Sequence, residues 1–186
     1  MELLAANQGQ PRSIRKVTEW RFFMKKQDLY AYLAEKNIPH EITEHGAVYN
    51  MDDLAAANLP YPEAEAKNLF VRDDKKQHYY LITVHGERRV NLKEFAKAQE
   101  TRRLSFASAE DLLAILDLTP GSVTPFGLLH DTYGRVEFYL DDAFLQPPFR
   151  IGIHPNDNTA TVWLNTHDLI ALIEQSGHAV HTVSFT

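Results

Sequence analysis

Pro120-Gly121-Ser122-Val123-Thr124-Pro125-Phe126-Gly127 stands between a helical pattern and a strand pattern, and that change of period decides the fold class. Upstream, Leu112, Leu113, Ile115 and Leu116 recur at helical spacing behind Ser108, whose partner Asp111 three residues on completes a capping-box signal. Downstream, residues 136–140 alternate in the manner of a strand. Between them, Gly121 opens φ values closed to other residues, Pro125 fixes its own φ, and Thr124 is pushed toward extended backbone by the proline after it. The stretch reads as a rigid loop able to aim amide N–H groups at a ligand.

Working outward, Leu29, Tyr30 and Leu33 give a first helix over 27–36, with Pro39 beyond its end. Residues 40–44 read as extended, and 52–58 as a short alanine-rich helix closed by Pro60 and Pro62. Two β-rich runs, 67–72 and 79–84, flank a polar turn and predict a hairpin. Asn91 caps a helix through Lys97. Strands follow over 150–154 and 159–164. Asn165 caps a helix carrying Leu169, Ile170, Leu172 and Ile173, Gly177 ends it, and 178–185 reads as a last strand. Helices and strands interleave too irregularly for a doubly wound sheet. The expectation is one mixed α+β domain over 24–186 with an extension over 1–23.

Composition removes several chemistries. With no cysteine there is no disulfide, thiolate zinc site or cysteine nucleophile. No apolar run approaches the length that spans a bilayer, and no apolar stretch follows Arg12, Arg15 and Lys16 as in a secretory signal. A cytoplasmic protein is expected. A net charge of −6 argues against coating nucleic acid through many phosphate contacts. Arg88, Arg89, Lys93, Lys97, Arg102 and Arg103 nevertheless form a locally basic segment, read either as a solvated face or as an RNA contact.

Candidate chemistry is sparse. Lys67, beside Asn68 at the start of a strand, would project from a sheet edge as surface charge or as a point charge for a phosphate or oxyanion. The segment from His154 through Asn156 and Asn158 is rich in turn formers, and it also presents amides and an imidazole that both donate and accept. His130-Asp131 has the composition of an oriented base, but neighbours on a strand face opposite ways. His178 and His181 are spaced wrongly for one face of a strand, so no metal site is expected. Neither a Gly-x-Ser-x-Gly elbow nor a phosphate-cradling Gly-x-x-x-x-Gly-Lys run is present.

Four separated motifs carry a resemblance. They are Lys67-Asn68-Leu69-Phe70-Val71, Arg103-Leu104-Ser105-Phe106-Ala107-Ser108, the loop from Pro120 to Leu129, and Ile151-Gly152-Ile153-His154-Pro155-Asn156-Asp157-Asn158-Thr159-Ala160-Thr161-Val162. In this order they resemble the YbaK/prolyl-tRNA synthetase-associated domains, free-standing relatives of a synthetase editing domain. The long last motif is most similar to the ProX (PrdX) branch. The resemblance implies helices around a mixed, barrel-like sheet and a substrate that is an aminoacyl ester on the 3′ adenosine of tRNA. It places Lys67 on the family's functional lysine and Gly121 and Pro125 on a Gly-x-x-x-Pro loop that shapes the acyl pocket; Lys67, Gly121 and Ser122 are the expected catalytic positions, and Val123, Thr124 and Pro125 the expected substrate-binding ones. Asn68, His130, His154, Asn156 and Asn158 become candidate substrate contacts. The synthetase-embedded domain has a histidine shortly before the strand matching Ile151. Here Pro147-Pro148-Phe149-Arg150 stands in that place, and the histidine's role does not transfer.

The expected activity is hydrolysis of Ala-tRNA(Pro), with prolyl-tRNA synthetase as a second partner and with no cofactor, membrane or DNA. A pocket built for proline rejects smaller alanine by only about 1–3 kcal/mol per lost methylene, so a second, smaller site is the usual remedy. The other readings are a module that binds aminoacyl-tRNA or an amino acid without turnover, a deacylase for another small amino acid, and a structural RNA binder.

Overall fold

The computed structural model describes residues 24–47, 59–86 and 88–185. The expected extension over 1–23 and the short helix over 52–58 lie outside them. Four α-helices are present among the described residues: α1 (Lys26–Glu35), α2 (Leu92–Ala98), α3 (Ala109–Leu116) and α4 (Thr166–Gln175). The strands are β1 (His40–Glu44), β2 (Ala66–Asp73), β3 (Tyr79–His85), β4 (Leu104–Phe106), β5 (Val136–Asp141), β6 (Arg150–Ile153), β7 (Ala160–Asn165) and β8 (Val180–Val183).

These strands make a mixed five-stranded sheet ordered β4-β2-β3-β5-β8 and an antiparallel three-stranded sheet ordered β1-β7-β6. In the larger sheet β2 runs antiparallel to β3 and β4, while the β3–β5 and β5–β8 pairs are parallel. The sheet does not close on itself. The two sheets instead meet at a parallel bridge between Glu65 and Gly152.

Alternation along the strands explains this layering. Phe70, Leu81, Phe138 and Leu140 face a first core shared with Ile151, Ile153, Val162 and Leu164 of the smaller sheet and with α1, α3 and α4. Val71, Tyr80, Ile82, Val84 and Tyr139 face a second core closed by Phe95 and Ala96 of α2. The sheet is therefore buried on both faces, and β3 reads as a continuous apolar run because of it.

Most predicted boundaries hold to within a residue or two. Asn91 accepts from the amides of Lys93 and Glu94, Ser108 and Asp111 form the reciprocal capping box, and Gly177 has φ 100. Three elements differ from expectation. β4 is too short to leave a pattern and exists through its ladder to residues 71–73 of β2. Part of the glycine loop, Pro125–Leu129, winds into a 3₁₀ helix begun by the proline, with the Thr124 hydroxyl accepting from the Phe126 amide at 3.4 Å. Asp142–Leu145 forms another 3₁₀ turn, its Ala143 amide capped by the Asp141 side chain.

Candidate functional site

Lys67 lies where β2 forms the edge of its sheet, because β4 pairs only with residues 71–73. Its Nζ donates to the main-chain carbonyl of Arg88. Burial, and then the neighbouring charge of Arg89, hold the ammonium below its ordinary value. One N–H is spent on Arg88, leaving two to meet an anion. Arg88 in turn is fixed by fully buried Asp141, whose Oδ1 accepts from the guanidinium at 2.8 Å and from the Ala143 amide at 3.0 Å. The Asp141 Oδ2 accepts from the His85 amide at 3.2 Å. Sequence reasoning missed this network, since its members lie 53 residues apart.

Asn68 leaves the opposite face of β2, the face of Ala66 and Phe70, whereas Lys67 shares the face of Leu69 and Val71. The buried Thr83 hydroxyl donates to Asn68 Oδ1 at 2.6 Å, which fixes the amide and leaves its NH₂ without a hydrogen-bond partner among the described residues. The pair quoted together in sequence thus serves two sides of the sheet edge.

The glycine loop begins in the conformation its composition predicts. Gly121 has φ 93, a left-handed value costly for any residue with a Cβ. The Ser122 amide is taken up by the Thr119 carbonyl at 3.0 Å, and its hydroxyl faces the Thr119 hydroxyl at 3.2 Å. Ser122 is buried as part of that turn. Among the described residues nothing accepts from the amides of Gly121, Val123 or Thr124; Thr124 is fully buried, so the N–H groups the loop has to offer are those of Gly121 and Val123. Pro125, Phe126 and Gly127 are buried behind them. A Cβ on Gly127 would stand 2.6 Å from Leu118 Cδ1, so the wall is set by close packing.

His154 begins the turn between β6 and β7. Its Nδ1 lies 3.1 Å from the Ala160 carbonyl, which can only accept, so this nitrogen carries the proton and Nε2 presents a lone pair. Burial lowers the pKa of the ring most, and nearby His45, 6.3 Å away between ring centroids, lowers it further. The Glu65–Gly152 bridge relates His154 to Lys67: two residues on from the bridge, the parallel segments carry Lys67 on one side and His154 on the other.

The remaining candidates divide. Asn156 adopts φ 60 and donates from Nδ2 to the Met24 carbonyl at 2.7 Å, tying the turn to the start of α1. It lines a small recess together with His130. Asn158 sits half-buried in the same turn. His130 caps the 3₁₀ helix, and Asp131 turns away from it to accept from the Val136 amide at 2.9 Å and to meet His178 Nε2 at 3.3 Å. Asp131 therefore does not orient His130 as a base. No hydrogen bond or ion pair among the described residues joins Lys67 to the glycine loop.

Glu65 also escaped the sequence reading. Desolvation alone raises its carboxyl to about 7, two residues before Lys67. No group of three or more potential metal ligands occurs among the described residues.

Residues 45–172 match the model of the aminoacyl-tRNA editing domain. The chain belongs to that family. It is 33% identical over 158 residues to the prolyl-tRNA editing protein ProX of Acetoanaerobium sticklandii, an alignment covering 85% of this chain and 96% of that protein. It is 34% identical over 149 residues to the bovine (Bos taurus) prolyl-tRNA synthetase associated domain-containing protein 1, covering 78% and 86%. A solved structure described as a candidate trans-editing enzyme for prolyl-tRNA synthetase shares the fold, with a TM-score of 0.64 at 21% identity over 96% of this chain and all of that one.

Proposed function

We propose that the chain is a trans-acting aminoacyl-tRNA deacylase that removes alanine from tRNA(Pro) in the cytoplasm. Family membership supports the deacylase reading. The observation that carries the assignment of residues is the bridge that sets Lys67 and His154 at matching steps of adjoining segments.

In the proposed reaction a water attacks the acyl carbonyl and the π electrons move to oxygen. The Gly121 and Val123 amides or the two unspent Lys67 N–H groups stabilise the resulting oxyanion, an effect worth about 10²–10³ in rate per donor in comparable sites. Collapse breaks the bond to the 3′ oxygen of the adenosine, which takes the proton given up by the attacking water and leaves as the 3′ hydroxyl of tRNA, and alanine is released with its carboxylate. The vicinal 2′ hydroxyl positions the water. His154, with Nε2 unprotonated, and Asn68, with its NH₂ unspent, orient the ester and its ribose. Gly121 and Ser122 contribute backbone, Pro125 supplies a wall that cannot yield to a proline ring, and His130, Asn156 and Asn158 border the acyl side.

The test is a panel of Ala-, Pro-, Cys- and Ser-charged tRNAs with wild type and Lys67→Ala. Alanine should be released selectively by wild type. Lys67→Ala should lose at least about 100-fold in kcat/KM with its circular dichroism unchanged. Equal turnover by the two proteins would remove Lys67 from the mechanism. Binding without turnover would favour a non-catalytic module.

A further inference from the structure

The segment Pro147-Pro148-Phe149-Arg150 forms a saddle between two recesses of about 420 and 330 Å³. Both recesses are lined by Pro148 and Arg150, and both volumes fall in the range of about 300–1,000 Å³ typical of small-ligand sites. The smaller one contains Arg88, whose carbonyl receives Lys67, so the saddle is continuous with the candidate catalytic end of β2.

Three features suit nucleotides. The Arg150 guanidinium lies 3.6 Å over the ring centroid of Tyr61, whose edge contact with Trp163 spans 5.3 Å, and Arg150 has no carboxylate partner among the described residues. A stacked, unpaired guanidinium can bind a phosphate through its edge. The smaller recess adds His85 and Arg88, the latter's guanidinium already paired with Asp141, against the carboxylate of Glu63, so Arg150 is the uncompensated cation of the pair. The larger is different: Phe149 stands beside the carboxylates of Asp168 and of Glu41, which keeps one oxygen free of Tyr61, and such acceptors match the exocyclic amines of cytosine and adenine. Phe149 is held at φ 56, with its carbonyl accepting from the Thr166 amide at 2.7 Å. A bulky residue is strained there, and such strain concentrates where a side chain is presented to a ligand.

We propose that the two recesses beside Arg150 receive the nucleotides preceding the ester-bearing adenosine in the single-stranded 3′ end of tRNA. The phosphate lies on the Arg88–Arg150 side and the base lies against Phe149. This rests on the deacylase reading for its direction along the RNA, but its binding test does not depend on turnover.

The probe is uncharged tRNA, measured by fluorescence anisotropy across a salt series, alongside hydrolysis of alanyl-tRNA and of 3′-O-alanyladenosine, which lacks the preceding nucleotides. Arg150→Ala should weaken tRNA binding at least tenfold and reduce the slope of log affinity against log salt by about 0.7, the share of one single-strand phosphate. It should raise KM for alanyl-tRNA and leave hydrolysis of the small ester within twofold. Phe149→Gly, which suits the positive φ, should weaken tRNA binding about fivefold or more by removing a stacking face. Unchanged affinity and slope in both variants would overturn the proposal, as would equal loss on the two esters. A wild type that hydrolyses neither ester would sink the deacylase reading, with the affinities then deciding the groove alone.

Discussion

The ammonium of Lys67 donates to the main-chain carbonyl of Arg88, whose own guanidinium is fixed by buried Asp141. The Lys67 end of β2 is thereby positioned by a charge at the end of β5, two strands away in the sheet. Removing one partner of a buried ion pair leaves the other uncompensated, at a cost of about 3–5 kcal/mol. Arg88 retains partial exposure, so Asp141→Asn is expected at the lower end, about 3 kcal/mol, in urea unfolding. Its deacylation rate should fall further than its stability requires, measured where the variant remains folded.

Gly152 is the point where the two sheets meet. A Cβ there would stand 2.2 Å from Trp163 Cζ3, and the indole cannot swing aside without losing its 2.9 Å hydrogen bond to Thr43. Overpacking of this kind costs about 1–3 kcal/mol. Gly152→Ala should lower the urea midpoint accordingly and displace His154 from Lys67, with an accompanying loss of activity.

Glu65 gives the protein a pH dependence of definite sign. Its folded-state pKa of about 7 lies above the ordinary 4.5, so the folded state binds more protons between those values. Stability from this group is fully present below pH 4.5 and is lost as pH rises toward 7. Glu65→Gln should remove that part of the slope, leaving the variant the more stable protein above pH 7 by chemical unfolding.

His154 acts in the opposite direction. Its folded-state pKa lies below the ordinary 6.5, so stability from the neutral ring is present above 6.5 and is lost as pH falls below it. The acid limb of kcat/KM should shift or flatten in His154→Gln, measured between pH 5 and pH 8. An unchanged pH–rate profile would remove the ring from the substrate's surroundings.

Ser122 provides a contrasting case. Its hydroxyl lies against Thr119 and its amide closes a turn, so it is not presented as a nucleophile. Ser122→Ala should retain deacylation within a few-fold. Gly121→Ala should lose more, because φ 93 costs a residue with a Cβ about 1–2 kcal/mol and the adjacent amides would shift.

Local signals carried most of the architecture. Capping residues Asn91, Ser108 and Asn165 named their helices, and the polar turn after Asp73 named its hairpin, because each of these acts through hydrogen bonds only a few residues long. β4 was not legible, since three residues carry no period and the strand forms only against β2. Glu65 was invisible for a similar reason: nothing around it in sequence reveals that its carboxyl is desolvated without a partner.

The sequence by itself determined which residues could do chemistry: a lysine at a strand start, a glycine with access to left-handed backbone, a proline that stiffens the loop and a histidine-led turn. Those properties belong to single residues and their immediate neighbours. Only the tertiary structure decided that Asn68 and Lys67 serve opposite faces, that Asp131 belongs to His178 instead of His130, and that Lys67 and His154 stand at matching steps from one bridge. Such relations depend on register between segments far apart in the chain, which is fixed by how two sheets bury their apolar faces together.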